Sequence, residues 1–142
     1  VSEHRSSYSM SQEMPDIINH KSKITIMAIS AARLNALEAI DELIKEGIDC
    51  DIFHIVNLKP FKISDQLISS LNSTKLGVVI DTDFETCGAS QSIAYELMLK
   101  TGAKIHGYGL ADKVSGVSKN TENLTPSKLE IKDKIKLIIE QN

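Results

Sequence analysis

The sequence lacks tryptophan, has few other aromatic residues and contains only two cysteines. With aromatic residues at 4%, it has neither a row of rings on which nucleobases could stack nor an aromatic cage for a cationic ligand. Two cysteines are too few for a disulfide framework, and Cys50 and Cys87 fall in segments that are predicted to form separate elements. We therefore expect two reduced thiols and no single-strand binding.

An excess of charge of one sign and a long apolar run are also missing. The formal net charge is −3, from 16 basic and 19 acidic residues spread along the chain. No basic patch indicates nucleic acid or an anionic membrane as a partner. No apolar run reaches the roughly 20 residues that span a bilayer, and residues 1–5 lack the apolar core of a signal peptide. The expectation is a protein of the cytoplasm.

What the chain does have is an alternation of apolar runs and amphipathic segments, in a length typical of one domain. Runs at 24–29, 50–56, 76–81 and 104–108 have the length and composition of buried strands. Helical periodicity appears in the segments between these runs, and a polar stretch after residue 108 leads to a last helical segment. The predicted helix ends are Ser30 with Gly47, Ser64 after Ile63, Gly88 with Gly102, and Thr125-Pro126. The pattern predicts a three-layer α/β/α sandwich, with any ligand at the carboxyl ends of the strands.

The sharpest local motif is an apolar strand followed by Asp81 and Asp83. A phosphatase of the haloacid-dehalogenase type presents a nucleophilic aspartate and a neighbouring acid beside magnesium in this way, and the alternative is a solvated acidic turn. With Glu85 the same segment has three carboxylates, which are the ligands that hard cations prefer, although all three could equally point to water.

Other chemistry-bearing residues have ordinary explanations beside the functional ones. Cys87 precedes Gly88 at a predicted helix start, where the helix dipole could lower a thiol pKa, or where close packing needs a small residue. His54 and His106 lie inside predicted strands, and no histidines have the spacing of metal ligands. No Gly-x-Gly-x-x-Gly follows the first strand, so a dinucleotide-binding domain is not expected.

The order and spacing of several short motifs resemble one known domain family. The chain is similar to the C-terminal domain shared by transketolases and the beta subunits of 2-oxo acid dehydrogenase complexes. The motifs that carry the resemblance are Glu3-His4-Arg5 with Glu13-Met14-Pro15, Ile24 to Ile29, Leu37-Glu38-Ala39-Ile40, Lys45-Glu46-Gly47-Ile48, Leu58-Lys59-Pro60-Phe61, Val79-Ile80-Asp81, Gly88 with Ser90 and Ile93, and Leu124-Thr125-Pro126.

The resemblance implies a mixed sheet of about five strands with one antiparallel strand, for which only Ile17-Ile18 is available here. Residues 1–22 would connect to a missing pyrimidine-binding domain, and residues 23–142 would form the domain. In the family, thiamine diphosphate lies between a diphosphate-binding and a pyrimidine-binding domain. The chain is therefore expected to be a piece of a longer protein or a split subunit. The parent enzyme would hold thiamine diphosphate and magnesium, and this chain alone would bind neither.

The resemblance further implies a role in dimerisation and subunit assembly rather than in chemistry, as a homodimer or with the missing thiamine-diphosphate-binding domains. A stand-alone interaction module is the remaining alternative. The sequence departs from the family pattern at His54, Val56, Lys62 and Ser92, where charged residues of the family are replaced or reversed in sign. The residues predicted to lie at an interface are Leu58, Pro60, Phe61, Asp83, Phe84, Gly88 and Ile93.

Overall fold

A computed structural model describes residues 14–17, 21–114, 116 and 122–142. Within these residues, strands and helices alternate almost without exception. The elements are β1 (Met14–Ile17), β2 (Ile24–Ile29), α1 (Ala32–Lys45), β3 (Cys50–Ile55), α2 (Asp65–Thr74), β4 (Leu76–Phe84), α3 (Ala89–Thr101), β5 (Lys104–Leu110) and α4 (Lys128–Glu140).

The strands form one sheet in the order β1-β3-β2-β4-β5. Strands β3, β2, β4 and β5 are parallel, and in the central register Ile26 of β2 pairs with Ile52 and Val78. Strand β1 pairs antiparallel with β3. The predicted fold class is confirmed, and the antiparallel strand is present. It lies at Met14–Ile17 rather than at Ile17-Ile18, and Ile18 falls outside the described residues.

Each face of the sheet is covered by its own hydrophobic core. On one face Ile26 and Val78 pack with Ile40 of α1 and Ile135 of α4. On the other face Met27, Phe53 and Val79 pack with Leu67 of α2 and Leu97 of α3. Alternate residues of one strand point to opposite faces, so the apolar run of β2 is buried throughout. The result is the three-layer arrangement that an apolar parallel strand requires.

A buried polar network closes the amino end of the sheet. The Asp51 carboxylate accepts hydrogen bonds from the hydroxyls of Ser22 and Ser70, at 2.6 and 2.5 Å. The Thr25 hydroxyl lies 2.7 Å from the Ser70 hydroxyl and 2.8 Å from that of Thr74. The network joins β2, β3 and α2. Because the buried oxygens have partners, it contributes to stability instead of opposing it.

Helix termini agree with the prediction at some ends and differ at others. Gly47 and Gly102 adopt the left-handed conformation that ends α1 and α3, and Ser64 caps α2 by accepting a hydrogen bond from the Leu67 N–H. Ser30 was the expected cap of α1, but it is itself left-handed (φ 54°), and Ala31 takes the cap position without a side-chain hydrogen bond. Helix α4 begins two residues later than the predicted Thr125-Pro126 start, because Ser127 and Glu130 form a capping box.

A ladder of ion pairs joins the outer faces of α1 and α4. Lys132 lies 3.1 Å from Glu42 and 3.4 Å from Glu46, Lys128 lies 3.4 Å from Glu42, and Lys136 pairs with Glu46. The lysines lower the pKa of both glutamates, mainly through hydrogen bonds from Lys132 to Glu42 and from Lys136 to Glu46. Among the described residues, no helix is long and apolar enough to cross a membrane.

Candidate functional site at the carboxyl edge of the sheet

The carboxyl ends of the parallel strands place four chain segments along one edge. Residue Ser30 follows β2, residues 56–61 follow β3, residues 85–88 follow β4, and residues 111–114 follow β5. Strand β4 is longer than predicted and continues through Asp81 to Phe84, where it pairs with Leu110. The acidic motif therefore lies on the end of a strand rather than in a loop.

The carboxylates of this motif bind the backbone beside them. Asp81 is buried, and its Oδ1 accepts hydrogen bonds from the N–H groups of Thr82 (2.7 Å) and Asp83 (3.3 Å). Asp83 is exposed, and its Oδ1 accepts from the Phe84 N–H at 2.7 Å. Asp81, Asp83 and Glu85 do not converge, and within the described part of the chain no three His, Cys, Asp or Glu side chains could hold a metal ion. The motif orders the end of β4.

In the turn after β4, the backbone at Gly88 makes a close contact with the backbone at Phe84. A Cβ on Gly88 would lie 2.1 Å from the Phe84 carbonyl oxygen, and a Cβ on Gly109 would lie 2.4 Å from the Asp83 carbonyl oxygen. Cys87, just before Gly88, is exposed and left-handed (φ 64°). Only glycine fits at positions 88 and 109, because any side chain there would push against backbone and not against a flexible side chain.

A cavity of about 380 Å³ lies beyond the end of β5. Its walls include Tyr108, Glu85, Glu122 and the start of α4 at Glu130. Burial raises the pKa of the Tyr108 hydroxyl, with Glu130 and Glu85 adding to the effect, whereas hydrogen bonds from Ser127 lower the pKa of Glu130. Sequence reasoning treated this region as a polar connection. The residue that could have indicated order in this region is Asn123. Its side-chain amide donates hydrogen bonds to the carbonyl oxygens of Ala111 and Lys113.

The predicted interface residues divide into exposed and buried ones. Leu58 and Phe84 are apolar and exposed to 47% and 40%, and Pro60 and Asp83 are exposed beside them in their segments. Phe61 packs against the core under α2 and α3, and Gly88 and Ile93 are buried. Only the exposed members can touch another chain directly. Gly88 shapes the turn after β4, and Ile93 packs α3 against the core. The role of the whole set stays a prediction.

Cys50 and His106 lie before the carboxyl ends of their strands. Cys50 is fully buried at the start of β3, and burial, with Asp49 and Asp51 nearby, raises the pKa of its thiol to about 12. Burial also lowers the pKa of His106 on β5, as do Lys104 and Lys134. Such a Cys50 thiol is almost wholly protonated at neutral pH, so it has the properties of a small apolar residue.

Comparison with known proteins places this geometry in a family. The family described as "Transketolase, C-terminal domain" matches residues 16–129. Two relatives are the pyruvate dehydrogenase E1 component subunit beta of Mesostigma viride, at 29% identity over 83 residues, and that of Chlorokybus atmophyticus, at 26%. Each match covers 58% of this chain, and this chain spans only about a quarter of either relative.

Solved structures with the same fold are found in larger proteins. A split gene transketolase, in an inactive beta4 tetramer, superposes with a TM-score of 0.74 at 19% identity, over 94% of this chain and 43% of the other. A 2-oxoglutarate:ferredoxin oxidoreductase from Magnetococcus marinus gives 0.64 at 15%, over 90% of this chain and 20% of the other. At these identities, the likeness concerns the fold alone.

These comparisons do not support the two alternatives raised from the sequence. The haloacid-dehalogenase interpretation of Asp81 and Asp83 has no support, because the acidic motif belongs to the third parallel strand of a different family and its carboxylates bind neighbouring N–H groups. The stand-alone interaction module has no support either. With the matched segment spanning most of the chain and all the parallel strands, the protein belongs to the family of transketolase C-terminal domains.

Proposed function

We propose that this chain serves as the C-terminal domain of a thiamine-diphosphate-dependent enzyme of the transketolase or 2-oxo acid dehydrogenase beta type, contributing to assembly and not to bond making. The match of residues 16–129 to the transketolase C-terminal family supports the proposal most. Parent enzymes of this family depend on thiamine diphosphate. These relatives are about four times as long as the 83 residues that they share with this chain, and they are named as subunits of an enzyme component.

In this proposal, the carboxyl edge of the sheet meets the domains that hold thiamine diphosphate and magnesium. Leu58 and Phe84 supply exposed apolar side chains there, and the near contact at Gly88 holds the turn that carries Phe84 in one shape. An apolar side chain on a rigid backbone loses little entropy when a partner covers it, so it suits an interface better than one on a mobile loop. The predicted cytoplasmic location and the homodimer remain part of the proposal.

Three tests apply to the proposal. The DNA immediately upstream of the Val1 codon, or a neighbouring gene, should encode a pyrimidine-binding domain. Coexpression of that polypeptide with this chain should yield one complex that turns over a 2-oxo acid or a sugar phosphate. Isothermal titration of the chain alone with thiamine diphosphate and Mg²⁺ should give no binding heat. Tight binding of thiamine diphosphate to the chain alone would contradict the proposed division of roles.

A matched pair of variants makes the assembly test residue-specific. Phe84→Ser should weaken co-purification with the pyrimidine-binding polypeptide, because it removes an exposed apolar ring from this edge. Leu129→Ser is the control, since Leu129 is also exposed, at 57%, but lies on α4. Equal loss in both variants, or no loss in Phe84→Ser, would remove the carboxyl edge from the proposal.

A further inference from the structure

The cavity beyond β5 opens at the same edge of the sheet as the exposed apolar side chains. It has a volume of about 380 Å³, and one of its lining residues, Glu85, directly follows Phe84 in the chain. Open parallel sheets bind ligands beyond the carboxyl ends of their strands, and a concave site with a few converging polar groups is the usual form of such a binding site. A partner that covers Phe84 therefore lies next to the mouth of this cavity.

The charged side chains that line the cavity are mostly acidic. Among the described residues of the lining, Glu85, Glu122 and Glu130 supply carboxylates, and Lys113 alone supplies an ammonium group. Neither Glu85 nor Glu122 takes part in an ion pair with another residue of the described ranges. Because the negative charges outnumber the positive one, the cavity attracts a cation.

The third carboxylate of the lining is fixed in place at the start of α4. Oε2 of Glu130 accepts hydrogen bonds from the Ser127 N–H at 2.8 Å and from the Ser127 hydroxyl at 2.7 Å, and these bonds lower the pKa of Glu130. The amino end of a helix carries a partial positive charge, which by itself repels a cation. The ionised Glu130 offsets that charge, so the wall formed by α4 can also accept a positively charged group.

The rest of the lining suits a planar cation with an apolar stem. The ring of Tyr108 lines the cavity, and its centre lies 5.3 Å from Nζ of Lys134, so the ring already attracts one cation of the chain. Ala111, Leu124 and Pro126 add apolar surface. A guanidinium group stacks on aromatic rings, bonds carboxylates through two parallel N–H groups and is more weakly hydrated than an ammonium group. The lining therefore fits arginine better than lysine.

We propose that this cavity receives an arginine side chain of the polypeptide that docks at the carboxyl edge. The inference rests on the proposed function, because it names the chemistry of the partner at that same edge. Leu58 and Phe84 supply apolar contact there, whereas the cavity supplies opposite charge and fixes the orientation of the partner. The surface of the partner is accordingly apolar around one arginine that projects from it.

A matched pair of small probes tests the cavity in the full chain. N-acetyl-arginine amide carries the guanidinium group, and N-acetyl-citrulline amide replaces it with an uncharged urea of nearly the same shape. In titrations followed by nuclear magnetic resonance, the arginine probe should bind at least about tenfold more tightly, because hydrogen bonds between two ionised groups are the stronger ones. The side-chain amide of Asn123, which lines the cavity, reports the binding. Added salt should reduce the difference between the probes.

Two neutral substitutions locate the binding of the arginine probe. Glu85→Gln and Glu122→Gln each remove one charge and keep the shape of the side chain. In the double variant, the two probes should bind equally to within about twofold, because most of the excess negative charge is gone. Glu96→Gln, at an exposed position of α3, is the matched control and should keep the preference for arginine. Thermal unfolding establishes that each variant is folded.

Coexpression with the pyrimidine-binding polypeptide tests the source of the arginine. The double variant should bind that polypeptide at least about tenfold more weakly than the unaltered chain, because a buried arginine of the partner loses its carboxylates. The proposal is overturned if the two probes bind equally to the unaltered chain, or if the double variant forms the complex as tightly as the unaltered chain. If the unaltered chain prefers the arginine probe but forms no complex, the proposed function fails, and with it the assignment of the arginine to this partner.

Discussion

The amino and carboxyl ends of the parallel sheet both contain aspartate and cysteine, but in different surroundings. At the amino end, Thr25, Asp51 and Ser70 are buried and hydrogen-bonded to one another, and Cys50 beside them is fully enclosed. At the carboxyl end, Asp81 and Asp83 bind their neighbouring N–H groups, Cys87 is exposed and Phe84 projects. The difference indicates that one end contributes stability through buried hydrogen bonds, while the other leaves side chains exposed on an ordered backbone.

The largest difference between the two ends should appear in thiol reactivity. Raising the pKa of Cys50 from 9.0 to about 12 lowers its thiolate fraction about a thousandfold, and burial blocks the reagent as well. With a chromogenic disulfide reagent at pH 8, one thiol should react at once and the second only after unfolding in guanidinium. Cys87→Ser should abolish the fast phase, and Cys50→Ala should leave it intact. A fast phase that survives Cys87→Ser would show that the amino end opens readily.

Removing the centre of the buried network should produce the largest loss of stability. Asp51→Ala leaves the hydroxyls of Ser22 and Ser70 without their acceptor and should lower the free energy of unfolding by about 4 kcal/mol, at about 2 kcal/mol for each hydrogen bond to a carboxylate. Urea unfolding measures the change. Asp112→Ala, at an exposed site of the carboxyl end, is the control and should change it by less than about 0.5 kcal/mol. Equal losses would erase the distinction between the two ends.

The carboxyl end should be sensitive to backbone crowding rather than to polar substitution. Gly88→Ala forces a Cβ toward the Phe84 carbonyl oxygen and should destabilise the fold by about 3 kcal/mol. Gly47→Ala is the matched control, because Gly47 has a positive φ of 79° but open space around it, and it should cost only about 1 kcal/mol. If the two variants unfold at the same urea concentration, the turn can relax, and Phe84 is not held firmly.

The exposed ladder between α1 and α4 should matter least and should depend on pH. The folded-state pKa values of Glu42 and Glu46 lie below 4.5, so their contribution is present above pH 4.5 and is lost as the pH falls through the lowered values. The pKa of Lys132 is raised above 10.5, so its contribution is complete below pH 10.5 and is lost as the pH rises through the raised value. Lys132→Ala should lower the melting temperature slightly at pH 7, and this difference should shrink as the pH falls below 4.5 through the lowered values. Lys62→Ala should leave the melting temperature unchanged throughout.

Much of the fold follows from periodicity and helix ends. The apolar run at Ile24–Ile29 became a strand with the predicted bounds, and Gly47, Ser64 and Gly102 take the end positions expected of them. These features depend on local sequence, because a left-handed glycine or a capping serine acts within one turn of chain. The three layers follow from the apolar runs, since such strands need cover on both faces.

Other features depend on contacts between distant segments. The extension of β4 to Phe84 comes from pairing with Leu110. The acidic residues Asp81 and Asp83 do not indicate this pairing in the sequence. The start of α4 at Lys128 reflects the Ser127 and Glu130 capping box and the hydrogen bond from Asn35 to the Pro126 carbonyl. The sequence does not show that Tyr95, Met98 and Leu99 of α3 are exposed. These apolar residues fall between buried positions, so the helical period of apolar residues is weak there.

The strand order has a consequence for how the chain reaches this structure. Strand β2 is bonded to β3 and β4, so Ile26 meets both Ile52 and Val78, about 26 and 52 residues away along the chain. No parallel pair can form as a local hairpin. Each must wait for an intervening helix to pack. The sheet therefore acquires its hydrogen bonds late and together, and folding in milliseconds to seconds is expected rather than in microseconds.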